Sequence, residues 1–208
     1  EYNQELEAVR SQLLSMGGVV EQQIDHALLA LVEGDSRLAE SVVRDDDKVN
    51  QMEIAIDEEC GRILARRQPA ASDLRLVISI IKASTDLERM GDEAQKIGHI
   101  SVSLAGQDRP SSGYTEIEHL GQAVKNMVRS ALDAFARLDV DAALNIIKED
   151  KRINREYEAI ARQCITFMME DPRTIRRVLD LMWAARSLER IGDHAKNLCE
   201  YVVYLVHG

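Results

Sequence analysis

Proline, cysteine and aromatic side chains are scarce in this chain, and each scarcity excludes something. Three prolines in 208 residues leave room for long uninterrupted helices, because proline breaks a helix interior. Three cysteines (Cys60, Cys164, Cys199) are an odd count with no CxxC spacing, so reduced thiols in a cytosolic protein are expected. Aromatic residues at 4%, with no alternating β-branched runs between hairpin turns, argue against sheets. No apolar run approaches the roughly 20 residues that cross a bilayer. No basic segment leads into an apolar stretch as in a signal peptide, although Glu1 as first residue implies a trimmed start. A net charge of −10 is the wrong sign for a nucleic-acid footprint.

What the chain does have is a repeat. Leu-Glu-Arg-Met-Gly-Asp at Leu87–Asp92 returns as Leu-Glu-Arg-Ile-Gly-Asp at Leu188–Asp193. A shift of 104 residues aligns Gly17 with Gly121, Leu28 with Leu132, Asp35 with Asp139, Asp46 with Asp150, Asn50 with Asn154 and Cys60 with Cys164. Beyond Pro69 and Pro172 a shift of 101 takes over and pairs Arg75 with Arg176 and Val77 with Val178. Agreement of that length is an internal duplication.

Each copy reads as three helices. Gly34-Asp35-Ser36 ends the first, Arg67-Gln68-Pro69 ends the second, and the third runs from about Ser72 to about Leu104. The second copy breaks near Leu138-Asp139 and Asp171-Pro172. Short connections make neighbours antiparallel. The expected fold is all-α, a tandem duplication of an antiparallel three-helix bundle: copy one over 1–105, a Gly/Pro/Ser-rich linker over 106–113, copy two over 114–208.

The doubled motif sets Glu and Asp four residues apart on one helix face, a repulsion that calls for a compensating cation. Glu88 and Asp92 continue the stripe of Leu74, Val77 and Ile81; Glu189 and Asp193 follow Val178 and Met182. On the second helix Asp46, Asn50, Glu53 and Asp57 share a face, and the second copy keeps Asp150 and Asn154 while Tyr157 and Ala161 replace the other two. If the helices pack antiparallel, Asp46, Asn50, Glu88 and Asp92 converge in one copy, and Asp150, Asn154, Glu189 and Asp193 in the other. All-oxygen donors suit Mg, Mn, Ca, Fe or Zn ions rather than thiolate-loving ones.

Spacing alone leaves a second reading open. Arg89, Arg190, Lys96 and Lys196 stand close enough to make the same residues an ordinary salt-bridged surface. Gly91 and Gly192, each costly inside a helix, favour close approach of a neighbour or ligand. His99 lies on the Glu88/Asp92 stripe but reads as incidental, its counterpart being Glu200; His194 is expected in solvent, and Trp183 in the core or an interface. No phosphate loop, nucleophile–His arrangement or dinucleotide fingerprint is present, so no enzyme is expected. The rival enzyme class, a di-iron carboxylate protein, has one Glu-x-x-His, Glu116 to His119, with no counterpart in the other copy.

The sequence resembles the PhoU family. The resemblance rests on Arg66-Arg67-Gln68-Pro69, Ser72-Asp73-Leu74-Arg75, Asp86–Asp92 and Ser187–Ala195, and spans nearly the whole chain. It implies metal held by Glu88, Asp92, Glu189 and Asp193, with Asp46/Asn50 and Asp150/Asn154 as the partner motif. The Asn departs from a strictly acidic pattern and removes a charge from each site. The second copy has also lost Asp-Leu-Arg, keeping Thr174-Ile175-Arg176. The resemblance further implies a cytoplasmic negative regulator coupling the phosphate ABC transporter, through its ATPase subunit, to a sensor histidine kinase, so that phosphate-starvation genes stay off when phosphate is plentiful. Long amphipathic helices make a homodimer the expected assembly. A metal-free helical scaffold is the alternative.

Overall fold

The structure, a computed structural model, describes residues 1–108 and 113–208. Six helices follow one another: α1 (Tyr2–Glu33), α2 (Ser36–Arg67), α3 (Ala71–Leu104), α4 (Tyr114–Arg137), α5 (Val140–Glu170) and α6 (Ile175–His207). One short 3-10 turn, Pro172–Thr174, precedes α6, and no strand occurs among the described residues. At 1.5 Å per residue, the 32 residues of α1 span about 48 Å. The expected linker, 106–113, falls partly on residues outside the described ones.

The first break of each copy is built alike. Gly34 turns into the left-handed region at φ 70°, and its counterpart Leu138 does the same at φ 52°, where a side chain costs about 1 kcal/mol. Asp35 then caps α2, its carboxylate accepting from the Leu38 N–H at 3.1 Å. Asp139 caps α5 through the Ala142 N–H at 3.0 Å. Each cap satisfies a helix-end donor that has no partner within the helix.

Within each copy the three helices pack mutually, α1 with α2 and α3, and α4 with α5 and α6. The copies join through α3 against α6 and α1 against α4, which leaves α2 and α5 on the outside. At the α1–α4 crossing the contacts are reciprocal. A Cβ on Gly17 would lie 2.6 Å from Leu132 Cδ2, and one on Gly121 would lie 2.6 Å from Leu28 Cδ2. Since Gly17 aligns with Gly121 and Leu28 with Leu132, the copies are related by a pseudo-two-fold axis, each presenting the same patch to the other. The core runs unbroken through both copies, from Val9, Met16 and Ile24 to Phe135, Leu188 and Val202. All three cysteines are buried and unpaired.

Candidate metal centres

Contacts along the seam between α2 and α3 run in opposite senses. Gly98 faces Ala39, Gln95 donates to the Val43 carbonyl at 3.0 Å, and Gly91 faces Asp46. Further along, Thr85 faces Glu53 and Ser84 faces Asp57. This antiparallel pairing brings the two acidic motifs of the first copy side by side. Asp46 is 3% exposed, while Asn50, Glu53, Glu88 and Asp92 are half-buried. In the second copy Asp150 and Glu189 are buried, with Asn154 and Asp193 half-buried beside them. None of the eight expected ligands stands on a wet face.

The repeated glycine explains the proximity. A Cβ on Gly91 would lie 3.0 Å from Gln23 Oε1 and 3.1 Å from Asp46 Oδ1. Only a bare helix face lets α2 bring its buried carboxylate so near α3. Gly192 plays the same part more loosely, with Ile153 Cγ2 at 3.4 Å and Asp150 Oδ1 at 3.8 Å.

Crowded negative charge marks the first copy. Burial raises Asp46, against the hydrogen bond it accepts from Gln23, and Asp92 and Asp47 raise it further. Burial raises Glu53, with Asp57 adding to it. Glu88 is pushed up to about 7 by burial, by Asp92 one turn along, and by Glu53 and Asp46. Yet among the described residues Asp46, Glu53, Glu88 and Asp92 form no ion pair. Lys96 turns to Glu93 at 3.0 Å, and Arg190 reaches the same Glu93 at 3.7 Å. The salt-bridged surface that spacing allowed is therefore not what the first copy forms.

The second copy holds its own cation. Arg186 Nη1 pairs with Glu189 Oε2, and its guanidinium lies 5.6 Å from the centroid of the Tyr157 ring. Burial raises Glu189, and Asp193 adds to it, while Arg186 opposes the rise. Asp193 is likewise raised by burial first and by Asp150 next. Asn154 donates to Asp150 Oδ2 at 3.3 Å.

Ten buried side-chain nitrogen or oxygen atoms lack a hydrogen-bond partner among the described residues. Four of them are oxygens of these two clusters: Gln23 Oε1, Asn50 Oδ1, Asp150 Oδ1 and Asn154 Oδ1. Buried oxygen acceptors without donors are costly, and a hard cation satisfies them. Carboxylate and amide oxygens are also the donors such ions take. The residues present thus fit an oxygen-ligated metal. Among the described residues no three His, Cys, Asp or Glu side chains already converge on one point, so binding would draw the side chains inward.

Sequence reasoning missed Gln23, which donates to Asp46 Oδ1 at 3.0 Å, and Arg186. The signal for both was in the alignment, which pairs Gln23 with Met127 and Arg186 with Thr85. One expectation is corrected and others are made specific. His194 is not in solvent: its ring meets Asp86 across the interface between copies, with Nδ1 2.7 Å from Oδ1. Trp183, expected in the core or an interface, is 56% exposed, which excludes the core. His99 is exposed, beside Lys96, Trp183 and Arg190. Glu116, of the Glu-x-x-His spacing, is used as a cap, accepting from the Gly113 N–H at 3.2 Å. His119 lies 3.7 Å from Glu156 at the surface.

The chain is similar to known proteins along its whole length. The family model described as PhoU domain matches residues 13–101 and 117–202, one match per copy. The phosphate-specific transport system accessory protein PhoU homolog of Pseudomonas putida is 59% identical over 208 residues, all of this chain and 81% of that protein. The Escherichia coli K12 protein named phosphate-specific transport system accessory protein PhoU is 49% identical, over all of this chain and 86% of its own length. The crystal structure of PhoU from Pseudomonas aeruginosa superposes with a TM-score of 0.98 at 57% identity, covering 100% of both chains. Two family matches in register with the duplication, and relatives alike along all of this chain, establish that the chain belongs to the PhoU family.

Proposed function

We propose that this chain is an accessory protein of a phosphate transport system, acting in the cytoplasm as a homodimeric adaptor. It couples the ATPase subunit of a phosphate ABC transporter to a sensor histidine kinase and keeps phosphate-starvation genes off when phosphate is plentiful. The observation that carries this reading is 59% identity over the entire chain to a relative named for that system. Long helices present extended faces for partner proteins, and no helix among the described residues is long and apolar enough to cross a membrane itself.

Asp46, Asn50, Glu88 and Asp92, and their counterparts Asp150, Asn154, Glu189 and Asp193, are the groups that would hold metal. The orphaned oxygens beside them support that assignment. Bound metal would supply positive charge between α2 and α3, biasing which arrangement of those helices is offered to partners. Co-purification tests the adaptor role: the transporter ATPase or the kinase should accompany the chain, and recovery of neither, in low and in high phosphate, contradicts it.

A metal-free scaffold is the second reading, favoured by the absence of a preformed three-ligand cluster among the described residues. It differs in one outcome: removing the Glu88 and Asp92 carboxylates would then leave partner binding and signalling intact.

A further inference from the structure

The two acidic clusters descend from one sequence, and three of the aligned positions at which they differ bear directly on metal. Where α1 of the first copy offers Gln23, whose Oε1 is buried and unpartnered, α4 offers Met127, its sulfur 3.8 Å from the Cβ position of Gly192. Where α2 carries Glu53, α5 carries Tyr157. Where α3 carries Thr85, whose hydroxyl donates to the Ile81 carbonyl at 3.2 Å, α6 carries Arg186, paired with Glu189.

All three changes act in the same direction. The first copy presents the carboxylates Asp46, Glu53, Glu88 and Asp92 with amide oxygens from Gln23 and Asn50, and none of its carboxylates is ion-paired among the described residues. The second copy has one carboxylate fewer, a thioether in place of an amide, and a guanidinium already on its glutamate. A hard cation binds oxygen in proportion to ligand charge and disfavours a thioether. Arg186 itself is held on two sides, by Glu189 and by the face of Tyr157, and an always-charged guanidinium has no deprotonated form through which to yield.

We infer that Arg186 is a built-in counter-cation that takes the place of metal in the second copy, so that the chain binds its divalent ion in the first copy alone. The inference rests on the proposed metal reading and narrows its two sites to the one formed by Asp46, Asn50, Glu88 and Asp92. The second copy keeps two orphaned oxygens, Asp150 Oδ1 and Asn154 Oδ1, so it is a latent site that Arg186 occupies electrostatically. The duplicated chain thereby carries one metal-responsive bundle and one fixed bundle on a shared core.

The test is calorimetric titration of the chelator-treated full chain with Mn²⁺, alongside Glu88→Gln, Glu189→Gln, Arg186→Thr and Arg186→Lys. Circular dichroism verifies that each variant remains helical. Wild type and Glu189→Gln should share one class of tight sites, which Glu88→Gln weakens by about tenfold or more. Arg186→Thr should add a second class, and Arg186→Lys should not. Equal weakening by Glu88→Gln and Glu189→Gln would overturn the asymmetry while leaving the metal reading intact. A folded Arg186→Thr chain that gains no Mn²⁺ would overturn the role of the arginine. Absence of tight Mn²⁺ in wild type would remove both. Should Arg186→Thr not fold, the Glu88→Gln and Glu189→Gln pair decides between the copies.

Discussion

Asp86 of α3 and His194 of α6 meet across the interface between the copies, Nδ1 2.7 Å from Oδ1. Asn197 donates to the same oxygen at 3.0 Å, and the Tyr201 hydroxyl donates to the other oxygen at 2.5 Å. Burial alone would raise the pKa of Asp86; the hydrogen bonds from His194, Tyr201 and Asn197 outweigh it and hold it below the ordinary carboxylate value. An acceptor-only carboxylate facing three donors satisfies every group it touches. The aligned residue in the second copy is Ser187, so this clasp has no mirror image.

Asp86→Ala should therefore cost about 2 kcal/mol, because it strands three half-buried donors on the opposing copy. Urea unfolding measures it. Combining Asp86→Ala with His194→Ala should cost less than the sum of the two singles, since each removes the other's partner. Additive losses would show that the pair is not coupled.

At the α1–α4 crossing, an exposed glycine and a packed one should behave oppositely. Gly18 has nothing within 4 Å of its Cβ position, so Gly18→Ala should stabilise by about 0.5–1 kcal/mol through helix propensity alone. Gly121 is pressed against Leu28, with Cδ2 2.6 Å from the Cβ position, and Gly121→Val should destabilise by about 1–3 kcal/mol. Thermal melts of the two variants provide the comparison. A Gly121→Val chain as stable as wild type would contradict the reciprocal Gly–Leu packing.

Stability of the metal-free chain should depend on pH through the first-copy carboxylates. Glu88 ionises near 4.5 when unperturbed and at about 7 in the fold. Between those values the folded state holds a proton that the unfolded state has lost, so stability falls as pH rises through that window. The chelator-treated protein should melt higher at pH 5 than at pH 8, with a shallower dependence in Glu88→Gln. Added Mn²⁺ should reverse the trend, since its ligands bind deprotonated. An unchanged slope in Glu88→Gln would assign the dependence elsewhere.

The duplication and the helix ends were legible because they rest on local chemistry. Asp35 and Asp139 cap helices wherever they occur, and Pro69 and Pro172 stop them regardless of tertiary context. Helical spacing likewise placed Glu88 with Asp92 correctly off the solvent. What spacing could not supply was the partner across a seam. His194 looked solvated because its partner Asp86 lies 108 positions away on another helix. Arg186 was overlooked among nearer basic residues, although it sits only three residues before Glu189. Reading the two copies against each other at every position, Thr85 against Arg186 and Gln23 against Met127, exposes what a search for shared residues passes over: the differences.

The most direct measurement is anomalous diffraction at the manganese edge from crystals of the wild-type chain soaked in Mn²⁺ after chelator treatment. The expected result is a peak between α2 and α3, among Asp46, Glu88 and Asp92, with none beside Arg186 between α5 and α6. No peak in the α2–α3 seam of a fully soaked crystal would contradict the assignment of metal to this chain's acidic motifs.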